Sequence, residues 1–146
     1  MTGLHTSLGV AVLAANLLAG LWGAASWLKG GPSPVFWYLL RAAQAVVVAQ
    51  VALGLVLIAT GRPSPDGLHL VYGISPLVVT LVTEAMRVGA SQRELEAAGD
   101  VHALEEREQV ALARRMVVRE MGVMTVGTLL IVTLALRAFV SGGGFR

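Results

Sequence analysis

The sequence predicts an all-α integral membrane protein, built as a four-helix antiparallel bundle. Of its 146 residues, 55% are hydrophobic and only 14% are charged, and the mean hydropathy is +0.73. Soluble domains usually carry about 25% charged residues. Four apolar runs, each near the length of about 20 residues that a bilayer requires, are separated by polar or Gly- and Pro-rich segments. The length fits one domain.

The four apolar runs cover residues 4–28, 35–60, 68–85 and 117–140, and each is predicted to form one spanning helix. The third run is the shortest. No basic segment precedes the first run, and this run is longer than the core of a cleaved signal peptide. We therefore expect it to be retained as the first span.

The connections differ in character. Residues 29–34 and 61–67 are rich in Gly and Pro, which break helices. Residues 87–120 instead hold six of the eleven basic and seven of the nine acidic residues. Residues 91–98 and 100–119 are predicted to be helical, with Asp100 as an N-cap. This segment, including His102, is expected to be solvated and to lead directly into the fourth span.

The distribution of lysine and arginine predicts the orientation, because cytoplasmic loops carry an excess of both. Eight of the eleven basic residues fall on the side of the first and third connections, which we therefore expect to be cytoplasmic. Both termini would then lie outside, in a multi-pass protein of the cell membrane, and the fourth helix would extend into the cytoplasm. The cytoplasmic set is Lys29, Arg41, Arg87, Arg93, Arg107, Arg114, Arg115 and Arg119, and the outer set is Arg62, Arg137 and Arg146.

The composition also excludes several kinds of site. The chain has no cysteine, which excludes disulfides and thiolate-bound metals. The net charge is +2 and the basic residues form no stripe, so we expect no nucleic-acid partner. No phosphate loop, zinc-protease motif or nucleophile elbow is present.

The sequence Leu-His-x-x-x-Gly occurs twice, at residues 4–9 and 68–73, each time at the start of an apolar run. The predicted topology places His5 and His69 at similar depth near the outer membrane boundary. A histidine in or near the membrane is a functional-site hypothesis by default. The alternative is that each histidine caps a helix or meets a lipid phosphate.

Small and polar residues recur at spacings of three and four along the first and third runs, which places each set on one helix face. Such faces point into the interior of membrane bundles. A glycine one turn below a histidine removes a side chain beside the imidazole, which would allow a flat macrocycle to lie there. The two sets are His5, Gly9, Val12, Asn16, Gly20 and Gly23, and His69, Gly73, Pro76, Thr80, Thr83 and Arg87.

The pattern of His5, Gly9, His69 and Gly73 on four spans resembles the four-helix b-type cytochromes, such as the cytochrome b561 group, and the four-helix halves of haem A synthase. In those families inward histidines ligate haem iron. The resemblance implies one haem b with His5 and His69 as metal ligands, and electron transfer with a quinone or a respiratory complex. The di-haem members carry four such histidines, whereas two here allow a single haem near the outer face and no electron path across the membrane.

Four further residues would surround such a haem, judged by depth alone. Arg62, Ser64 and Arg137 are predicted near the outer surface, where haem propionates need polar partners, and Tyr72 is one turn from His69. For the two arginines the alternative is snorkelling to the lipid head groups.

A second polar group is predicted at the inner end of the bundle, where Arg41 would pair with Glu84 or Glu120. Such a network would lock the helix ends, or it would serve as a proton path or quinone site with Gln44. Asn16 and Gln50 are expected to form hydrogen bonds between helices.

Two other functions stay open from the sequence. The chain could be a non-catalytic accessory or assembly subunit of a larger membrane complex, with residues 87–120 as its docking arm. It could also be a small transporter that uses Glu84 and Arg41, a role that favours a homo-oligomer.

Overall fold

Four long α-helices form the fold of the chain, for which a computed structural model describes residues 2–62 and 67–142. The helices are α1 (Thr2–Leu28), α2 (Pro34–Ala59), α3 (Gly67–Ala98) and α4 (Glu106–Ser141), with a 3₁₀ helix (Val101–Ala103) before α4. All four are long and apolar enough to cross a membrane. Within the described residues, the prediction of an all-helical fold with four helices able to span a lipid bilayer is therefore confirmed.

The polar connection before the fourth span differs from the predicted one. Helix α3 continues past its apolar run to Ala98 and ends at Gly99, whose φ of +70° favours glycine. Asp100 accepts a hydrogen bond from the backbone N–H of His102 and caps only the 3₁₀ helix. Helix α4 begins later, at a capping box in which Glu105 and Glu108 satisfy each other's backbone N–H groups. The segment 87–119 between the third and fourth predicted spans is thus divided: its first part is the end of α3 and its last part is the start of α4.

The first connection is fixed by local capping. Ser33 is the N-cap of α2, its hydroxyl accepts a hydrogen bond from the Phe36 N–H at 3.3 Å, and Pro34 occupies the first helical position. The indole of Trp22 donates to the same hydroxyl at 3.0 Å. The end of α1 and the start of α2 are therefore tied to one side chain.

Helix α4 is the central element of the packing. It packs along most of α3 and α1, and α1 packs against α2, whereas α2 and α3 touch only sparsely. The first turns of α1 and α3 meet the last turns of α2 and α4, because His5 lies against Gly54 and His69 against Gly142.

Two apolar clusters form the core, one at the level of Val47, midway along α2, and one at the level of Phe36, near the start of α2. The faces predicted to point inward are buried at Val12 and Asn16 of α1 and at Thr80 and Thr83 of α3. The amide of Asn16 donates to the carbonyl of Val12 at 2.9 Å, so this hydrogen bond lies within α1 rather than between helices. The clusters are Val12, Val47, Ile131 and Ala135, and Phe36, Leu40, Met121 and Met124.

Glycines bring α1 and α4 into close contact. A Cβ atom added at Gly23 would overlap the Thr125 hydroxyl and lie 2.6 Å from the Phe36 ring. A Cβ atom at Gly20 would lie 2.6 Å from Leu129. Helices in lipid associate through such close packing, since burial from water contributes nothing there.

We expect Gly23→Ala to lower the free energy of unfolding by about 1–2 kcal/mol, because overpacking outweighs the gain in helix propensity. Thermal unfolding in detergent measures the change. The matched control is Gly89→Ala on α3, which gains the same propensity, since only the Arg93 guanidinium, at 4.0 Å, lies near its added Cβ. Equal stability of the two variants would contradict close α1–α4 packing at Gly23.

Candidate functional site

A cavity of about 340 Å³ lies where the first turns of α1 and α3 meet the last turns of α2 and α4. Most of its wall is apolar and comes from all four helices. The cavity also reaches residues on the lipid-facing sides of α2 and α3, where these two helices touch sparsely. It is therefore open toward the membrane. Its polar lining includes His5, Gln50, Arg62, His69 and Tyr72.

The two histidines of the repeated motif meet in this cavity. Their ring centroids are 6.1 Å apart and the ring planes are inclined by 64°. Both side chains are half-buried. The repeat in the sequence thus corresponds to one pair of imidazoles, one from α1 and one from α3.

The imidazole of His69 is oriented by the backbone of α4. Its Nδ1 lies 2.9 Å from the carbonyl oxygen of Ala138. A carbonyl only accepts, so Nδ1 is the donor in this contact. This is the arrangement by which metal-ligating histidines are usually held. A Cβ atom at Gly142 would lie 2.9 Å from Nδ1, so a glycine is required beside the ring.

The imidazole of His5 is held by α2. Its Nε2 lies 3.4 Å from the amide nitrogen of Gln50, whereas its Nδ1 and the Gln50 Oε1 are buried without a hydrogen-bond partner among the described residues. Rotating the amide by 180° brings Oε1 toward Nε2, which can then donate to it. Nδ1 would still be a buried atom with an unused lone pair, which an electron-pair acceptor would satisfy.

The predicted glycines line the cavity, but neither contacts a histidine. A Cβ atom at Gly9 would meet the Gln50 amide at 3.4 Å, and one at Gly73 would meet nothing within 4 Å. The glycines that clear space for the rings are Gly54, whose Cβ would lie 3.2 Å from His5, and Gly142. Sequence reasoning missed both, because each lies on a helix that carries no histidine.

Three of the four predicted partners near the outer surface can be located. The Arg137 guanidinium lies over the ring of Tyr72, 5.6 Å from its centroid, in a cation–π contact. Tyr72 and the exposed Arg62 line the cavity, whereas Ser64 lies outside the described residues. Residues 2–62 and 67–142 contain no group of three or more His, Asp or Glu side chains that would hold a metal ion.

Comparison of the chain with protein-family models, with curated proteins and with solved structures finds no match. The candidate site is therefore characterised by its own geometry and chemistry.

The predicted polar group at the other end is an extended network across α2, α3 and α4. Glu84 receives hydrogen bonds from Arg41, from the Gln44 amide at 2.8 Å and from Arg87 at 2.9 Å. Arg87 also bonds Glu120 at 3.0 Å. Both carboxylate oxygens of Glu84 are occupied by donors, which favours a structural role over a proton path or a quinone site.

We expect Glu84→Gln to lower the free energy of unfolding by about 1–2 kcal/mol, because it leaves the half-buried Arg87 and the exposed Arg41 without their shared carboxylate. Denaturation in detergent checks this. Glu96→Gln removes the same charge from an exposed position on the same helix and should change stability little. A loss no greater than that of the control would argue against a structural network.

Proposed function

We propose that the chain is a small integral membrane b-type haem protein, in which His5 and His69 are the axial ligands of one haem near the outer face. The 6.1 Å separation of the two imidazole centroids carries this proposal. Two metal–nitrogen bonds of about 2 Å, with half an imidazole ring at each end, separate ring centres by about 6 Å. The resemblance to four-helix b-type cytochromes and haem A synthase halves is part of the same proposal.

The residues present fit this group. The carbonyl of Ala138 contacts Nδ1 of His69 and the Gln50 amide contacts Nε2 of His5, whose Nδ1 has no hydrogen-bond partner among the described residues and would be available to a metal. The apolar wall suits the face of a macrocycle, and the opening between α2 and α3 suits a ligand that enters from the lipid. Arg62 at the cavity, and Arg137 beside Tyr72, supply positive charge for propionates.

Two histidine ligands determine the class of chemistry. A haem held by both histidines would supply one-electron transfer rather than oxygen chemistry. Here the chain would hold and orient the ligands, and the apolar wall would exclude water. A membrane quinone or a respiratory complex is the partner that such a site would serve. The alternative function is a non-catalytic accessory subunit, which needs no chromophore.

We expect the protein purified from haem-replete membranes to show a sharp α-band in its reduced-minus-oxidised spectrum. His5→Ala and His69→Ala should each abolish the band, because one ligand alone cannot give a bis-histidine haem. His102→Ala, which changes an exposed histidine in the polar connection, is the control and should keep it. Absence of the band from the unmodified protein would contradict the proposal and support the accessory role.

The same proposal includes the orientation of the chain. Both termini lie outside the cell membrane, and the helices form an antiparallel bundle whose fourth helix extends into the cytoplasm. The native chain has no cysteine, so single-cysteine labelling reports it directly. Gly3 and Gly31 are suitable positions, since an added Cβ meets nothing within 4 Å at either.

We expect a membrane-impermeant maleimide to label Gly3→Cys in intact cells and Gly31→Cys only after permeabilisation. The reason is the excess of arginine and lysine on the side of residue 31. Labelling in the opposite order would invert the topology and place the histidine pair at the cytoplasmic face.

A further inference from the structure

A second cavity, of about 740 Å³, lies at the opposite end of the helices, beside the connection between α1 and α2. We call it the basic groove. Its walls are apolar side chains of α3 and α4, several of them exposed, and three arginines of α4 and Trp27 of α1 border it. The apolar residues are Val82, Met86, Val118, Val123, Val126 and Leu130.

Basic side chains outnumber acidic ones at this groove. Arg115 and Arg119 share one carboxylate, that of Glu94, and their side chains are 62% and 59% exposed. Arg114 donates to the backbone carbonyl of Gly30 at 3.0 Å and has no carboxylate partner within the part of the chain that the structure describes. Among the described residues that line the groove, Glu94 is the only acidic one. Three guanidinium groups therefore face a single carboxylate beside an apolar surface.

We propose that the basic groove binds an anionic phospholipid, with its phosphate at Arg115 and Arg119 and an acyl chain along α3 and α4. Basic clusters at the ends of membrane helices attract anionic lipid head groups. A free phosphate would account for the arginines but not for the exposed apolar wall. The proposal requires that the helices span a bilayer, and it depends neither on haem nor on the side to which the groove faces.

Trp27 lines the groove and is a direct reporter of its occupant. The variant Trp22→Phe, Trp37→Phe leaves Trp27 as the sole tryptophan of the three. Its fluorescence is measured in vesicles that contain either brominated phosphatidylglycerol or brominated phosphatidylcholine at equal mole fraction. We expect the anionic lipid to quench Trp27 with a relative binding constant about fivefold above that of the zwitterionic lipid.

Two changes of charge should move this preference in opposite directions. Arg115→Gln with Arg119→Gln should reduce it to about onefold, and Glu94→Gln should increase it. Arg93→Gln is the matched control, because Arg93 is exposed on α3, does not line the groove and bonds its own helix at Gly89. It should leave the preference unchanged.

Native mass spectrometry of the unmodified protein and of Glu94→Gln gives a second measurement that needs no tryptophan replacement. Both should retain phosphatidylglycerol in preference to phosphatidylcholine, and the variant should retain more of it. Equal quenching and equal retention of the two lipids would overturn the proposal. So would an anionic preference that survives Arg115→Gln with Arg119→Gln.

Discussion

The close contact between α1 and α4 is the constraint on which the rest of the structure depends. Lipid is as apolar as the helices, so apolar faces gain little from association unless their atoms interlock. Gly20 and Gly23 allow α1 to approach Thr125 and its neighbours on α4. Since α3 also packs along α4, this one helix determines the relative height of the two elements that carry His5 and His69. A shift of α1 along α4 would separate the imidazoles.

Polar groups in a membrane are costly unless they are paired, and the two ends of the molecule differ in how completely their polar groups are paired. At one end Arg87 bonds both Glu84 and Glu120 and so joins α3 to α4, while Arg41 and Gln44 of α2 bond Glu84. At the other end the polar atoms are incompletely satisfied, because His5 Nδ1 and Gln50 Oε1 have no partner among the described residues. The sparse contact between α2 and α3 leaves space beside them. The paired charged groups of α2, α3 and α4 thus lie away from the cavity, whereas these two unpartnered atoms belong to residues that line it.

Much of the architecture was accessible from the sequence, because length, hydropathy and helical spacing are local properties. They predicted four spans, inward faces at Asn16 and Thr80, and the pairing of Arg41 with Glu84. Residues 91–98 were predicted to be helical, but their continuity with the third span in α3 was not, since a charged segment carries no apolar run that would link it to the span. The positions of Gly54 and Gly142 beside the histidines follow from helix packing, which no spacing within a single helix encodes.

The lengths of α3 and α4 have a mechanical consequence. With a rise of about 1.5 Å per residue, 32 and 36 residues extend about 48 and 54 Å, whereas the hydrocarbon layer is only about 30 Å thick. The two helices therefore extend beyond the hydrocarbon layer as a packed pair. Ion pairs of Glu94 with Arg115 and Arg119 join their projecting ends. A force applied to the projecting end of this pair acts on two continuous helices. The force would tilt α3 and so would move its other end, where His69 lies.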